Sequence, residues 1–141
     1  MNEIRREDAP ALLLEMIPEA AEYLEELYEM PAAEAVRTEH PSVDTFDLLG
    51  DGLAQPIIIP QLQAEMPDVD LLQRCFDYTE RLIASPISVL REAAYFQVLE
   101  ALLGENVPYE RAFPYMGQVT RQRALRMLKA YGVEAPRVGE P

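Results

Sequence analysis

The sequence predicts an all-α domain, a bundle or short solenoid-like stack of about five to seven helices. Three observations predict it. Apolar residues recur at three- and four-residue spacing in several long windows. Asp, Ser, Pro and Gly stand where those windows begin and end. The one β-branched run, Ile57-Ile58-Ile59, lies between Pro56 and Pro60 and finds no clear mate for a sheet.

The first window runs Leu13, Met16, Ile17, Ala20, Leu24, Leu27, Tyr28. Asp8 before Ala9-Pro10 reads as its N-cap, with proline in the first turn. Pro18 removes a backbone donor and bends or breaks the helix. The stripe keeps its phase through it, so a kinked helix or two nearly collinear ones are expected over 9–29, ended by Met30-Pro31. Residues 31–43, with Pro31, His40 and Pro41, read as a loop with room for a turn of helix. Ser42 or Asp44 is positioned to cap a short helix from about 44 to 54, weakened by Gly50 and Gly52. Residues 57–59 read as a buried turn leading into a short helix at 60–66.

Asp68 caps the clearest helix, about 69–84, whose face is Leu72, Cys75, Phe76, Thr79, Leu82 and Ile83. Ser85-Pro86 reads as a stop and restart, Ser as N-cap and Pro as first helical residue. The next helix, about 86–103, is apolar around most of its circumference and is expected at the centre, with Gly104 as its C-terminal cap. A short helix at 108–113 stops before Pro114. Met116, Val119, Thr120, Ala124, Met127, Leu128 and Tyr131 stripe the last long helix, which Gly132 ends. Residues 133–141 read as a loose tail, and 1–141 as a single domain.

Composition narrows function. Twenty-five acids against 12 bases give a net charge of −13. That argues against nucleic acid and against anionic membranes as ligands, since both need clustered Lys and Arg. It fits a basic protein partner, or solubility alone. No apolar run approaches the ~18 residues of a membrane span, and MNEIRREDAP holds no apolar signal core. With a single cysteine as well, a cytoplasmic protein is the expectation. The charge is polarised: residues 1–50 hold 13 acids and 3 bases, residues 105–141 hold 4 acids and 6 bases.

Reactive groups lack company. His40 is the lone histidine, and Cys75 falls on an apolar helix face, where a cysteine acts as a small filler. One Cys and one His cannot supply a structural zinc site, and no Gly-rich phosphate loop or EF-hand loop occurs, so neither metal nor cofactor is expected. Glu80, Glu92 and Glu100 lie on neighbouring helices without the histidines a di-metal bundle needs, and pairing with Arg74, Arg81 or Arg91 is expected for them. The most informative feature is acidic. Glu15, Glu19, Glu22, Glu25, Glu26 and Glu29 fall within an arc of about 120° on a helix of 3.6 residues per turn. Like charges at such spacing repel by ~0.2–0.5 kcal/mol a pair. A face tuned only for stability interleaves lysine. These six residues are read as a docking face for a cationic partner, against the plainer reading of a solvated acidic surface. The basic run Arg121, Arg123, Arg126, Lys129 is expected to pair with the chain's own acidic helices, or to favour head-to-tail contacts between copies.

Residues 68–105 carry a further pattern: Phe76, then Glu80 and Leu82-Ile83 on one helix, Leu99-Glu100-Ala101-Leu102 on the next. This resembles uncharacterised bacterial all-helical domains that accompany toxin systems as immunity proteins, and extends loosely over 69–131. The Gly-Asp of that pattern between the helices is Ser85-Pro86 here. The resemblance implies a helical fold and an inhibitor role, and supplies no catalytic residues. The resulting expectation is a non-enzymatic acidic binding protein, an immunity-type inhibitor covering a basic partner's active surface. The alternatives are an enzyme using carboxylates between the central helices, and a structural subunit that self-associates into a homo-oligomer.

Overall fold

The computed structural model describes residues 4–37 and 43–136. His40 and Ser42 lie outside the described residues. Among the described residues the protein is an all-α bundle with no strand. Its α-helices are α1 (Ala9–Met16), α2 (Ala21–Tyr28), α3 (Ala32–Ala35), α4 (Thr45–Leu49), α5 (Ile59–Gln63), α6 (Val69–Ile83), α7 (Ser88–Ala94) and α8 (Gln118–Ala130).

Pro18 breaks the first window. Ile17, ahead of the proline, leaves the helical region at φ −133°, ψ 76°, as pre-proline crowding demands. A 3₁₀ turn, Pro18–Ala20, then starts α2. The stripe survives the break: Leu13, Ile17, Ala20, Leu24 and Tyr28 are all buried. Asp8 does not cap α1. It sits in a 3₁₀ turn, Arg6–Asp8, and its carboxylate turns back to the Arg5 N–H at 3.2 Å and the Arg5 Nε at 3.1 Å.

The region 44–66 is helical without a break from Thr45 to Gln63. Asp44 caps α4 by accepting from the Asp47 N–H at 2.9 Å. A π-helical stretch, Gly50–Ile58, then fuses α4 to α5. Ile57 and Ile58 are therefore buried within a helix, not in the turn expected of them. The wide π turns carry Pro56, which in a regular α-helix lacks a donor and clashes with the carbonyl four residues back. Gly50 packs close to the tip of Gln97: a Cβ there would meet its Oε1 at 2.5 Å and displace that side chain.

Asp68 caps α6 through the Leu71 N–H, 3.1 Å. The whole expected face of α6 is buried, and Leu71 and Tyr78 join it. Tyr78 is fully buried and donates its hydroxyl to the Ala9 carbonyl at 2.8 Å, tying α6 to the start of α1. α6, rather than the 86–103 segment, is the hub: it packs against α1, α7, α8 and the 3₁₀ segment Tyr109–Tyr115. The 86–103 segment is a wall. Its apolar residues ring it, but Phe96 is 46% exposed.

The α6–α7 corner also differs from expectation. Helix α7 begins at Ser88, capped by no side chain, and Ser85 Oγ instead accepts from the Ile87 N–H at 3.0 Å. Beyond Ala94 the helix continues as a π turn, Tyr95–Leu99, and a 3₁₀ turn, Glu100–Leu103. Gly104 leaves it extended, and the positive φ expected near this end falls on Asn106, at 66°. Gly132 does act as a left-handed C-terminal residue, φ 69°. The Val133 N–H bonds the Leu128 carbonyl at 2.8 Å and the Gly132 N–H bonds Lys129 at 3.1 Å, the paired bonds of a Schellman motif.

Candidate functional site

All six glutamates of the acidic face are solvent-exposed. They do not share one helix: Glu15 is on α1, Glu19 in the 3₁₀ turn, Glu22, Glu25 and Glu26 on α2, and Glu29 just past its end. Two hold the framework. Glu19 makes a two-pronged pair with Arg74, both oxygens at 2.8 Å from its Nη atoms. The same guanidinium reaches Asp70 at 2.9 Å and the Met16 carbonyl at 3.1 Å. Arg74 thereby serves the exposed carbonyl end of α1 as it fixes α6. Its hydrogen bonds hold the Glu19 carboxyl down to about 2 from an ordinary 4.5. Glu25 accepts the Ala32 N–H at 3.0 Å and so serves the N-terminus of α3.

The other four, Glu15, Glu22, Glu26 and Glu29, make no ion pair among the described residues. Glu29 is also conformationally costly. It ends α2 in the left-handed region, φ 59°, ψ 42°, where glycine or asparagine is the usual occupant. Its charge sits at the negative end of the α2 dipole.

The carboxylates proposed for chemistry between the central helices have other partners than the expected arginines. Glu80 caps α8 from α6. It accepts from the Thr120 N–H at 2.8 Å, the Thr120 hydroxyl at 2.7 Å and the Val119 N–H at 3.2 Å. Gly117 makes room, since a Cβ there would fall 2.6 Å from the Glu80 carboxyl carbon. Glu100 accepts from the Tyr131 hydroxyl at the opposite end of α8, which raises that phenol's pKa above its ordinary value. Eleven residues of helix put Thr120 and Tyr131 roughly 17 Å apart along the axis. The two acids therefore do not converge. Among the described residues no three metal-ligating side chains come together.

Cys75 is fully buried, and burial pushes its thiol up to about 12, far from the range of a nucleophilic thiolate. Among the described residues the basic run makes no ion pair with the acidic helices. Arg121 donates to the Phe113 carbonyl at 2.8 Å, and the Arg123 guanidinium lies over the Tyr95 ring, 3.8 Å from its centroid.

Comparison with family models, with curated protein sequences and with solved structures found no match to this chain. No helix among the described residues is long and apolar enough to cross a membrane.

Proposed function

We propose that this protein is a non-enzymatic binding protein whose α1–α2 surface docks a basic protein partner, in the manner of an immunity-type inhibitor acting in the cytoplasm. One observation carries the reading. Glu15, Glu22, Glu26 and Glu29 are exposed and have no ion-pair partner among the described residues, while Glu19 and Glu25 beside them hold the fold. Unpaired surface carboxylates of one sign steer a cationic surface toward them and orient it on contact. Glu29 keeps an acid in a left-handed, dipole-opposed position where glycine is cheaper, the pattern expected when stability yields to binding.

The test is capture from the native host on tagged wild-type protein and on a variant carrying Glu15→Gln, Glu22→Gln, Glu26→Gln and Glu29→Gln. The reading expects a basic protein retained at low salt, released at raised salt, and absent from the variant. An acidic partner, or equal retention by both proteins, contradicts it. The alternative of a self-associating subunit finds its support in Met66, ahead of α6, and Val69, its first residue, which are 91% and 60% exposed. Light scattering decides it: a concentration-dependent mass favours the subunit, a constant monomer mass the inhibitor.

A further inference from the structure

Four arginines of this chain share one role. Arg74, Arg91, Arg111 and Arg121 each donate to a backbone carbonyl, at Met16, Ser85, Leu62 and Phe113 respectively. With acids outnumbering bases two to one, cations are spent closing carbonyl ends of helical segments. Arg123 and Arg126 are exceptions. Neither makes a hydrogen bond or ion pair among the described residues, and both project from α8 into a groove shared with Arg91. No carboxylate pairs with any of the three there.

The groove lies between α7 with its π extension and α8. Its volume is about 400 Å³. The apolar lining is Ile83, Tyr95, Phe96 and Val119, with Phe96 46% and Val119 38% exposed. The aromatic wall is braced. Tyr95 and Phe96 meet edge to face at 5.0 Å, and Phe96 stacks on Phe46 at 6.4 Å. Arg123 over the Tyr95 face is held by cation–π attraction, which leaves the edge of its guanidinium fork open. Glu92 also lines the groove, so the local charge is three cations against one acid.

We propose that this groove binds a small amphipathic organic anion, a single carboxylate or sulfonate head on a planar apolar body. The size lies within the ~300–1,000 Å³ of small-molecule sites, where an apolar lining and a few placed charges give affinity and orientation. The body packs on Tyr95, Phe96 and Val119, and the head takes the forks of Arg123 and Arg126. Glu92 disfavours a second negative charge on the ligand. An arginine cluster in a chain of net charge −13 has abundant acids from which to draw a partner, and among the described residues it draws none. The site uses none of the α1–α2 glutamates, so its failure leaves the docking reading standing.

The experiment compares two fluorescent probes of matched shape on the full chain. Anilinonaphthalene sulfonate is the anion and phenylnaphthylamine its neutral counterpart. The anion is expected to bind one per chain and at least tenfold more tightly than the neutral probe. Arg123→Gln with Arg126→Gln is expected to weaken the anion tenfold or more, leaving the neutral probe and the melting temperature nearly unchanged. Arg126→Gln alone, at an exposed position, is expected to give part of that loss if the double variant fails to fold. Equal affinity for the two probes, or anion binding undiminished in a folded arginine variant, overturns the proposal. So does salt-sensitive dimerisation of the wild type that the double variant abolishes, since the groove would then hold the acidic face of a second copy.

Discussion

Glu29 stands at φ 59° at the end of an α-helix, and an L-residue held there costs ~1–2 kcal/mol. Replacing it with glycine removes that strain together with a charge opposed to the helix dipole. Glu29→Gly is therefore expected to stabilise the protein by about 1 kcal/mol, seen as a rise in Tm, while weakening capture of the basic partner. A fall in Tm contradicts this account of the residue. Glu19 behaves in the opposite sense. Its carboxyl is held at about 2 in the folded chain, below its ordinary 4.5, so its contribution is complete above pH 4.5 and is lost as pH falls toward 2. Its side chain is 44% exposed, and solvent screening discounts the contribution to about 1 kcal/mol. Urea titrations of wild type and Arg74→Ala should thus differ most above pH 5, with the gap narrowing toward pH 2 to what the Met16 carbonyl bond supplies. A gap independent of pH shows that Arg74 acts through its carbonyl bond and packing alone.

At the scale of elements, α8 depends on a carboxylate that belongs to α6. Glu80 supplies the cap that Gly117 and the first turn of α8 cannot supply themselves. Gly117→Ala pushes that carboxylate off its donors and is expected to cost about 1–2 kcal/mol. In a Glu80→Ala background the same change should cost almost nothing, because there is no longer a carboxylate to displace. Additive costs contradict the mechanism. This cap was beyond the reach of sequence reading, since Glu80 and Thr120 are 40 positions apart and only the crossing of α6 and α8 brings them together. What periodicity does carry is the buried face: every residue expected inside on α6 is inside, and the stripe through Pro18 keeps its phase across the broken helix, with Met16 and Leu27 half-buried at its edge. Caps read from a single residue fared unevenly. Asp44 and Asp68 cap as expected, whereas Asp8 was drawn off by the neighbouring Arg5 and Ser85 by the local turn to Ile87. The 50–63 segment misled because Gly50, Gly52, Pro56 and Pro60 all signal helix ends, whereas the first three lie inside the π stretch and Pro60 sits in the first turn of α5. The exposed glutamates were legible as a run, but not their division into structural and free groups, which needs the positions of Arg74 and Ala32.

For the molecule as a whole, electrostatics is asymmetric. Residues 1–50 carry 13 acids and 3 bases, and the last third carries a small positive excess. Such an arrangement accelerates encounter with a cationic surface in proportion to the unscreened charge presented to it, over a Debye length of about 8 Å at physiological salt. Four free carboxylates supply that presentation at a modest cost to the fold, in the strain at Glu29 and in repulsion along α2. Converting them to glutamine relieves repulsion between Glu22 and Glu26 and between Glu26 and Glu29, on the order of 0.2–0.5 kcal/mol for each pair. The most direct measurement is the association rate of the captured basic partner across a range of ionic strength, for wild type and for the Glu15→Gln, Glu22→Gln, Glu26→Gln, Glu29→Gln variant. The account predicts a steep fall of the wild-type rate with salt, and a slower, nearly salt-independent rate for a variant at least as stable. A variant that associates as fast as wild type with the same salt slope would contradict it.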